Sequence, residues 1–566
     1  MGLTNALQIG RSGLLASQAA LQVAGNNLAN VGTEGYNRQR INLTGAGVHD
    51  VGQGNMVGRG VQVESIQRIV DEALQARLRK GESDQAATEA RKNVLEQVES
   101  IYNELSDNDL STHLNEFFNA WSELANRPDD LSLRSLVVAE GDKLAQFVQR
   151  LHHELSDLRK QTDGNIEQSA KRADDLLDEL ATVNRQIVEA EATRGSAHSL
   201  RDERDRMLGE LSELIDINTV EQSSGSVDVF VGSTPILLNG KNRGLELKRE
   251  TVEGDLTVSL QVKADGTKLD PKGGRLGALV DARLNDLDGA LEHVDTFANQ
   301  LIFQVNRIHS QGQGMEGFNK LIAGQAVDDP DAPLASEAAG LPFNPDHGSF
   351  RIHVTQKSTG YREATQIDVD LDGIGEDTSL NDLAAAIDAV DNVSAKVRPD
   401  GRLEIEADGG DFEISFDDDS SGILAALGIG TFFTGSDARH IAVDGAVSDN
   451  LRLLAAGQDH VEGDNSNAKA MDRLRDEPVA GLDNLSLTQS WRRHVEDVAV
   501  AVSQTNSKLE SNKVVLDNLK SQREANSGVN VDEEAINLMA FQRAFQGNAR
   551  FLSVVDEMMQ TLMALV

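Results

Sequence analysis

The C-terminal segment of the chain decides its fold. Residues 538–566 read LMAFQRAFQGNARFLSVVDEMMQTLMALV, in which apolar side chains recur at alternating spacings of three and four residues. This heptad pattern is typical of a helix that packs along a partner helix. Its members are Leu538, Phe541, Phe545, Asn548, Leu552, Val555, Met559, Leu562 and Val566. Asn548 is the one polar member, and a single Asn in such a seam fixes the register of pairing at some cost in stability.

A second amphipathic helix is predicted at the N-terminus, where leucine recurs every seven residues. The repeat comprises Leu7, Leu14, Leu21 and Leu28, and the interleaved positions are held by Leu3, Gly10, Ser17, Ala24 and Val31. Small residues in such a seam allow a partner helix to approach closely. We therefore expect the two terminal helices to pair with each other. The alternative is that each end packs only on its own domain.

Charge is distributed unevenly along the chain, and both ends are nearly uncharged. Arg11 is the only charged side chain within the first 33 residues, whereas residues 316–464 hold 30 Asp and Glu against nine Lys and Arg. Uncharged segments suit close packing, and strongly acidic segments suit solvent. Because an isolated terminal helix is marginal in water, we expect residues 1–35 and 531–566 to be disordered in the free monomer and helical in an assembly.

The overall composition argues against several classes of function. A length of 566 residues predicts roughly three to five domains. The formal net charge of −39 disfavours binding to nucleic acid or anionic lipid, and the absence of Cys excludes thiol chemistry, disulfides and Cys-based zinc sites. No apolar run reaches the roughly 18 residues that span a bilayer. The N-terminus has no basic region or cleavage site, so we expect no membrane insertion and no cleaved signal peptide.

Long helical patterns fill much of the interior. Periodic apolar residues predict helices over 63–105, 110–125, 131–158, 166–214, 276–308 and 495–519. The expected caps or breaks are Ser111, Asp130 and Ser199. Helices from both halves of the sequence are expected to bundle together, because the paired ends have to run side by side.

Two stretches alternate apolar and polar residues and are predicted to be β-rich. The first is 227–269, and the second, 350–443, is interrupted by one helical pattern at 380–390. The predicted fold class is mainly α with β-rich insertions: a terminal α-helical coiled coil, a shaft of bundled long helices and outward β domains. The predicted domains are paired terminal helices (1–35 and 531–566), a helical shaft (36–216, 276–314 and 466–530), a β-hairpin domain (217–275) and an acidic β-rich outer domain (315–465).

The strongest candidate for a ligand site is the acidic turn Asp-Val-Asp-Leu-Asp-Gly at 368–373. It resembles the start of a calcium loop, and Glu376 stands at the ninth position, but Ser379 replaces the acid that the twelfth position requires. A strand, a turn and a helix capped by Ser379 and Asp382 explain the same residues without calcium. We therefore predict no metal ion and no cofactor.

Other motif matches lack the context that their chemistry requires. Gly312, Gly314 and Gly317 match a dinucleotide fingerprint, but they follow a helix rather than a strand. His152-His153-Glu154 has no second His at helical spacing. No Ser/His/Asp or paired-carboxylate arrangement stands out in so acidic a chain. The sequence therefore favours a structural subunit over an enzyme.

Two segments resemble the signatures of the bacterial flagellar rod, hook and hook-associated proteins. Residues 25–39, GNNLANVGTEGYNRQ, are similar to the N-terminal signature, and 527–534, SGVNVDEE, followed by 541–546, FQRAFQ, to the C-terminal one. The ending Gly-Tyr-x-Arg-Gln points to the hook-associated members. Family members often have Pro at the position of Glu34 and Tyr at that of Phe545. The matching motif residues are Asn26, Asn27, Asn30, Gly35, Tyr36, Arg38, Gln39, Gly528, Asn530, Glu533 and Glu534.

The resemblance implies an exported, self-assembling subunit of the flagellum. Copies would form a ring layer at the tip of the hook, between the hook protein and a second hook–filament junction protein. The paired terminal helices would line the axis, and the β domains would project outward. The resemblance also implies export by the flagellar type III pathway, a chaperone that binds the C-terminal helix, and an extracellular location at the hook–filament junction.

Three alternative functions are open at this point. Another axial flagellar protein is the closest, although flagellin normally lacks the Asn-Asn-x-x-Asn signature and hook protein has far less helix. A calcium-stabilised acidic surface adhesin would use 368–376 and would leave both terminal signatures unexplained. An enzyme within 316–464 has no catalytic constellation to support it.

Overall fold

A computed structural model of the protein describes residues 2–564 except 34, 51–55, 105–107, 193–194, 253–254, 459–460 and 462. The chain divides into two compact units, each assembled from separate stretches. The first unit comprises Met1–Val94, Thr162–Ala282 and Gln504–Val566, and the second comprises Leu95–Gln161 and Arg283–Ser503. The two ends of the chain therefore belong to the same unit.

Helices dominate the part of the chain that the structure describes. They are α1 (Gly2–Ala29), α2 (Glu72–Tyr102), α3 (Leu110–Asn126), α4 (Leu131–Glu191), α5 (His198–Leu214), α6 (Gly274–Asp281), α7 (Asp288–His309), α8 (Leu380–Asp388), α9 (Ile423–Leu427), α10 (Gly445–Asp449), α11 (Ser466–Leu474), α12 (Leu487–Ser527) and α13 (Val531–Ala564). A π-helical turn, Ala282–Leu287, joins α6 to α7. Short 3-10 turns occur at Glu337–Ala339, Leu451–Leu453 and Ala480–Leu482.

The strands are short, and all the pairs between them are antiparallel. They are β1 (Gln39–Gly45), β2 (Val48–Asp50), β3 (Met56–Gly58), β4 (Val61–Arg68), β5 (Asn218–Glu221), β6 (Val227–Val231), β7 (Thr234–Leu238), β8 (Lys241–Asn242), β9 (Leu245–Val252), β10 (Asp255–Val262), β11 (Lys268–Leu269), β12 (Lys320–Ile322), β13 (Gly348–Gln356), β14 (Arg362–Val369), β15 (Val393–Val397), β16 (Leu403–Ala407), β17 (Phe412–Asp417), β18 (Phe433–Thr434) and β19 (Ala442–Val443). The sheet orders are β1-β4, β2-β3, β5-β6-β7-β8, β11-β10-β9, β14-β13-β17, β12-β16-β15 and β18-β19.

The first unit combines the terminal helices with the ribbon β1-β4 and the small sheets of β5 to β11. Within it, α2 and α12 approach closely at Gly81, where a Cβ would lie 3.4 Å from the side chain of Leu516. The amide of Asn512 donates to the backbone carbonyl of Asp84 at 3.1 Å. These contacts hold the helical part of the unit together.

The second unit has an aromatic core between helices and a β-rich core beside it. Phe117, Phe118 and Trp121 on α3 pack edge-to-face or tilted against one another and against Phe432 and Phe433. In the β-rich part, strands β12 to β17 and helix α8 enclose one cluster of buried aliphatic and aromatic residues, among which Phe350 and Phe416 pair edge-to-face.

The mainly helical fold and the two β-rich stretches are confirmed. Strands β6 to β11 lie within 227–269, with Asn239 and Gly240 both at positive φ in the turn after β7. Strands β13 to β17 and α8 fill most of 350–443. The predicted cap of α8 is also confirmed, because the Ser379 hydroxyl accepts from Asp382 N–H and the Asp382 carboxylate accepts from Ser379 N–H.

The prediction that a helix begins at residue 63 is wrong. Strands β1 to β4 lie within the described residues 39–50 and 56–68, and α2 begins only at Glu72. Residues 61–64 read VQVE, in which apolar and polar side chains alternate with the period of a strand. This ribbon is fixed to α1 by a hydrogen bond from Val61 N–H to the hydroxyl of Ser12, at 3.2 Å.

The predicted break between 158 and 166 is absent, because α4 runs without interruption through Asp163 and Gly164. A glycine inside a helix costs only about 1 kcal/mol relative to alanine. The flanking Leu158 and Ile166 are both buried, so packing on either side offsets that cost. Among the predicted caps, Asp130 accepts from Ser132 N–H, but Asp109 rather than Ser111 caps α3, and α5 follows Ala197 without a side-chain cap.

Candidate assembly interface

The two ends of the chain pack against each other as an antiparallel helix pair. A Cβ at Gly10 would lie 2.9 Å from the Leu552 side chain, and one at Gly13 would lie 2.8 Å from the Asn548 amide. Residue numbers thus rise along α1 while they fall along α13. The pairing occurs within one chain, so the two terminal helices have partners without a second copy, and the disorder of the ends in the free monomer stays a prediction.

Small residues form the buried face of α1. Its buried members are Gly10, Ala16, Ser17, Ala20, Val23, Ala24 and Asn27. The predicted leucines Leu7, Leu14, Leu21 and Leu28 are only half-buried. The closest approach is therefore made by the interleaved small positions, because glycine and alanine let the helix backbones come near, and the leucines flank that contact.

Asn548 makes a polar contact within this apolar pair. Its Nδ2 donates to the Ser17 hydroxyl at 3.3 Å, and that hydroxyl donates to the Gly13 carbonyl at 2.8 Å. Any side chain at Gly13 would collide with the Asn548 amide. The contact specifies one register, as the sequence predicts for a polar residue in a helix seam.

In the single chain, the predicted seam residues of α13 are buried to different extents. Val555 is buried, and the half-buried members are Leu538, Phe541, Phe545, Leu552 and Met559. Leu562 is 54% exposed, and Val566 lies outside the described residues. The use of these residues between copies remains a prediction.

A second apolar stripe on α13 is uncovered. Its large members are Ile536, Met539, Phe551, Val554, Met558 and Leu562, which are 42–62% exposed. Ala540, Ala544 and Gly547 lie among them and are exposed as well. These spacings of three and four residues place the stripe along one side of the helix. Such a continuous exposed apolar surface marks an interaction site. We name it the outer stripe of α13.

Asn27 joins the N-terminal helix to the first strand. Its Nδ2 donates to the Gln39 carbonyl at 2.8 Å, and Gln39 N–H donates to its Oδ1 at 2.9 Å. The buried Asn27 amide therefore forms hydrogen bonds with both the N–H and the carbonyl of Gln39, as the backbone of a neighbouring strand would. Both residues belong to the predicted motif, and their role is to close the turn between α1 and β1.

Tyr36 and Asn26 complete this turn. The Tyr36 hydroxyl donates to Asn27 Oδ1 at 2.8 Å, and Asn26 Nδ2 donates to the Tyr36 hydroxyl at 3.3 Å. Asn30 Nδ2 donates to the Asn26 carbonyl at 2.9 Å, which ends the helix. Burial, together with the nearby charges of Asp202 and Glu534, raises the pKa of Tyr36 to about 12. The phenol therefore remains a hydrogen-bond donor at physiological pH.

Arg38 links the N-terminal turn to the start of α13. Its guanidinium lies 2.8 Å from the Glu533 carboxylate and 2.7 Å from that of Glu534, whose side chain is only 4% exposed. Arg38 N–H also donates to the Ser527 carbonyl at 2.9 Å. The N- and C-terminal motifs are therefore two halves of one structural element, which we name the motif corner (residues 26–39 and 527–534).

The remaining motif residues shape the backbone of the motif corner. Gly35 has a φ of +84°, and a Cβ at Gly528 would lie 2.3 Å from the Glu524 carbonyl oxygen. The Asn530 side chain accepts from Asp532 N–H at 3.0 Å and so caps α13. Glu34 lies outside the described residues.

Sequence reasoning missed the partners that anchor the motif corner to the rest of its unit. Asn37 Nδ2 donates to Asp202 Oδ1 at 2.6 Å, and Arg68 Nη1 lies 2.7 Å from the same oxygen. The position of Asn37 inside the recognised motif could have indicated a structural role for it. Asp202 lies on α5, 165 positions away, and nothing in its local sequence marks it.

The acidic turn at 368–373 brings together one group of possible ligands. Atoms of His347, Asp370 and Asp372 lie within 4.8 Å of one another, and all three residues are exposed. His347 was not anticipated from the sequence. Asp372 accepts from Ile374 N–H and thereby caps the turn, so the geometry agrees with the interpretation of this segment as a strand followed by a turn.

Comparisons with known proteins match the chain at both ends and in the middle. Residues 95–324 match the family model of the flagellar hook-associated protein FlgK helical domain. Residues 7–37 match that of the flagella basal body rod protein, and 520–565 match that of the flagellar basal body rod FlgEFG protein C-terminal region. Both halves of the motif corner thus lie wholly or mostly within rod-type matches.

Relatives extend the match along nearly the whole chain. Flagellar hook-associated protein 1 of Escherichia coli (strain K12) is 26% identical over 565 residues, which are 97% of this chain and 98% of that protein. Along nearly its whole length, the chain is therefore similar to flagellar hook-associated protein 1. The protein of the same name from Salmonella typhimurium (strain LT2) is 25% identical over 579 residues, with 98% of each chain covered.

A solved structure shares the fold of this chain. The flagellar hook junction protein FlgK from Burkholderia pseudomallei aligns with a TM-score of 0.51 at 14% identity, covering 80% of this chain and 100% of that one. The predicted role as a structural subunit of the bacterial flagellum is confirmed by the family. Within the described residues, no helix is long and apolar enough to cross a membrane.

Proposed function

We propose that this chain forms the junction between the hook and the filament of a bacterial flagellum and assembles through its paired terminal helices. The observation that carries the proposal is the outer stripe of α13, which is exposed although α1 packs along this helix. Burying half of its six large side chains would contribute on the order of 5 kcal/mol per subunit. The helices α1 and α13 therefore pair within one chain, and the outer stripe of α13 is available for contact with other subunits.

Copies of the chain form a ring layer, which contacts the hook protein on one side and a second hook–filament junction protein on the other. In this arrangement the motif corner has a structural role: it holds α1 and α13 in one register so that every copy presents the same surface. Repetition of one surface is what allows copies to add in a regular array. The role requires no catalysis, so we propose that the chain is not an enzyme.

Export precedes assembly. The chain acts outside the cell, and we expect it to reach the hook tip through the flagellar exporter without loss of a signal peptide. A chaperone that covers α13 in the cell would prevent premature contacts, because the outer stripe would otherwise be exposed to water. The domain division predicted from the sequence remains part of this proposal, with residues 39–50 and 56–68 reassigned to a β ribbon.

Purified protein and isolated hooks test the proposal directly. Hooks are prepared from cells that lack this chain, mixed with the purified protein and examined by electron microscopy after immunogold labelling. Label confined to one end of each hook supports the junction role. Label along the whole hook, or binding to filaments from end to end, would assign the chain to a different layer.

A further inference from the structure

Ribbon β1-β4 of the first unit carries an exposed apolar pair. Leu43 on β1 lies directly opposite Val63 on β4, and the two side chains are 44% and 39% exposed. The register shifts beside this pair, so the neighbouring Glu64 has no direct partner on β1, and it is exposed as well. A bulge of this kind re-aims a side chain, so Glu64 does not have to follow the alternation of the strand. We name Leu43, Val63 and Glu64 the ribbon face.

The ribbon runs alongside α1. Val61 N–H donates to the Ser12 hydroxyl near one end of β4. At the other end, Arg68 lies opposite Gln39, which bonds to the Asn27 amide. Strand β4 rises about 23 Å from Val61 to Arg68. Helix α1 rises about 22 Å from Ser12 to Asn27. Because the two rises are nearly equal, the ribbon is nearly parallel to α1 and therefore to α13, which packs along the same helix.

The apolar pair of the ribbon face lies at the level of small residues in the outer stripe of α13. The pair is about 7 Å nearer the motif corner than Val61. Asn548 packs on Gly13, the residue after Ser12. Ala544 is exposed and is about 6 Å nearer the motif corner than Asn548. Two bulky side chains on the ribbon are therefore level with the part of the outer stripe whose side chains are small.

Charges on the two surfaces also match in height. Glu64 is about 10 Å nearer the motif corner than Val61, and Arg543 is about 8 Å nearer to it than Asn548. Arg543 and Arg550 are both exposed, and their spacing of seven residues places them along one flank of the outer stripe. The negative charge of the ribbon face is therefore level with a positive charge beside the outer stripe. Opposite charges arranged in this way fix the register between two surfaces.

We infer that the ribbon face of one copy packs on the outer stripe of α13 of the next copy, an inference that rests on the proposed ring layer. A ring is closed by head-to-tail contacts, in which two different patches of the same chain meet. Neighbours in a ring differ by a rotation about its axis alone. Residues at the same height therefore face each other when α1 and α13 run along that axis. The apolar pair then covers Ala544, and Glu64 pairs with Arg543.

Disulfide cross-linking tests the contact, because the chain has no Cys of its own. Val63→Cys and Ala544→Cys chains, one of them tagged, are mixed on isolated hooks and oxidised. A disulfide requires Cβ atoms within about 4.5 Å of each other, so the mixed dimer reports direct contact between copies. We expect it to be the main cross-linked product. Val220→Cys places the thiol on a 51% exposed valine of β5 and serves as the control partner of Ala544→Cys, with little dimer expected.

Reversal of the two charges tests the register of the contact. Glu64→Arg and Arg543→Glu each bring like charges together and should raise the protein concentration needed to cap half of the hooks about fivefold. The double variant should restore the wild-type concentration.

The inference is overturned if Val63→Cys and Ala544→Cys give no more mixed dimer than the control, or if the double variant caps no better than the single ones. Wild-type label at hook ends would then still support the junction role. Absence of that label would overturn the junction role and this inference together.

Discussion

Arg38 and Glu534 are 496 positions apart in the sequence, and their side chains form an ion pair at 2.7 Å. Glu533 accepts from the same guanidinium at 2.8 Å. Since Arg38 follows α1 and the two glutamates lie in the first turn of α13, this pair joins the two ends of the chain. The register of the terminal helices therefore depends on an interaction that local sequence does not contain.

Arg38→Gln is expected to loosen the terminal helices by about 1.5–3 kcal/mol, the usual contribution of hydrogen bonds to charged groups. The variant leaves the mostly buried Glu534 without its cation. Hydrogen exchange measured by mass spectrometry should become faster in α1 and α13 and stay unchanged in α2. Arg40→Gln removes an exposed neighbouring arginine and is the matched control. Equal exchange in the two variants would show that the pair contributes little.

Leu552→Asp is expected to prevent assembly and leave the remainder of the chain folded. The Leu552 side chain packs against Gly10, so a carboxylate there would be placed between two apolar helix faces. Ser553→Asp puts the same charge on an exposed neighbouring position of α13 and should assemble normally. Capping of isolated hooks compares the two. Normal capping by Leu552→Asp would contradict the pairing of α1 and α13 in the assembly.

The terminal helices should open more readily in the monomer than in the assembly. In one chain the outer stripe of α13 faces water, so fewer buried contacts oppose local opening. We expect α1 and α13 to exchange amide hydrogens faster than α4 in dilute monomer, and to become protected once rings form. Protection of α1 and α13 equal to that of α4 in the monomer would contradict this expectation.

Acid should destabilise the second unit through its buried histidines. His494 stacks on His293 with ring centroids 3.7 Å apart, and Tyr102 Oη lies 2.8 Å from its Nε2. Burial, with a smaller contribution from His293, lowers the pKa of His494 to about 3, and burial lowers that of His309 to about 4. In the folded protein, both pKa values lie below the ordinary histidine pKa of 6.5. Stability is therefore full above about pH 6.5 and falls as the pH drops toward 3.

His494→Gln tests this dependence, because glutamine keeps an acceptor for Tyr102 but does not titrate. Each histidine that stays neutral in the folded protein contributes about 1.4 kcal/mol per pH unit to the slope of the free energy of unfolding below pH 6.5. Urea unfolding between pH 7 and pH 4.5 gives the free energy of unfolding at each pH. Its slope against pH should be smaller in the variant than in the wild type by about that amount. A slope identical to that of the wild type would exclude His494 as a source of the acid sensitivity.

Periodicity alone predicted the elements that pack along a single helix seam. The heptads at the two ends, the polar Asn548 and the pairing of the ends follow from spacings in the sequence. The face of α1 that makes the closest approach could not be predicted, because leucine spacing marks the more apolar side. Contact distance instead depends on Gly10 and Gly13, where absent side chains leave room for Leu552 and Asn548.

The motif corner shows a second limit of sequence reasoning. Its residues were identified by resemblance, but their roles depend on partners brought close by the fold. The Asn27 amide satisfies the backbone of Gln39, and Asn37 bonds to Asp202 on a distant helix. Strands β1 to β4 were missed for a related reason, since a short alternating segment beside a long helix resembles the first turns of that helix.

Electron microscopy of cells that lack this chain, together with an assay for flagellin in the medium, tests the central claim most directly. The junction role predicts complete hooks without filaments and flagellin released into the medium. Restoring the chain should restore filaments. Cells without hooks would assign the chain to the rod or hook, and normal filaments would contradict the proposed function.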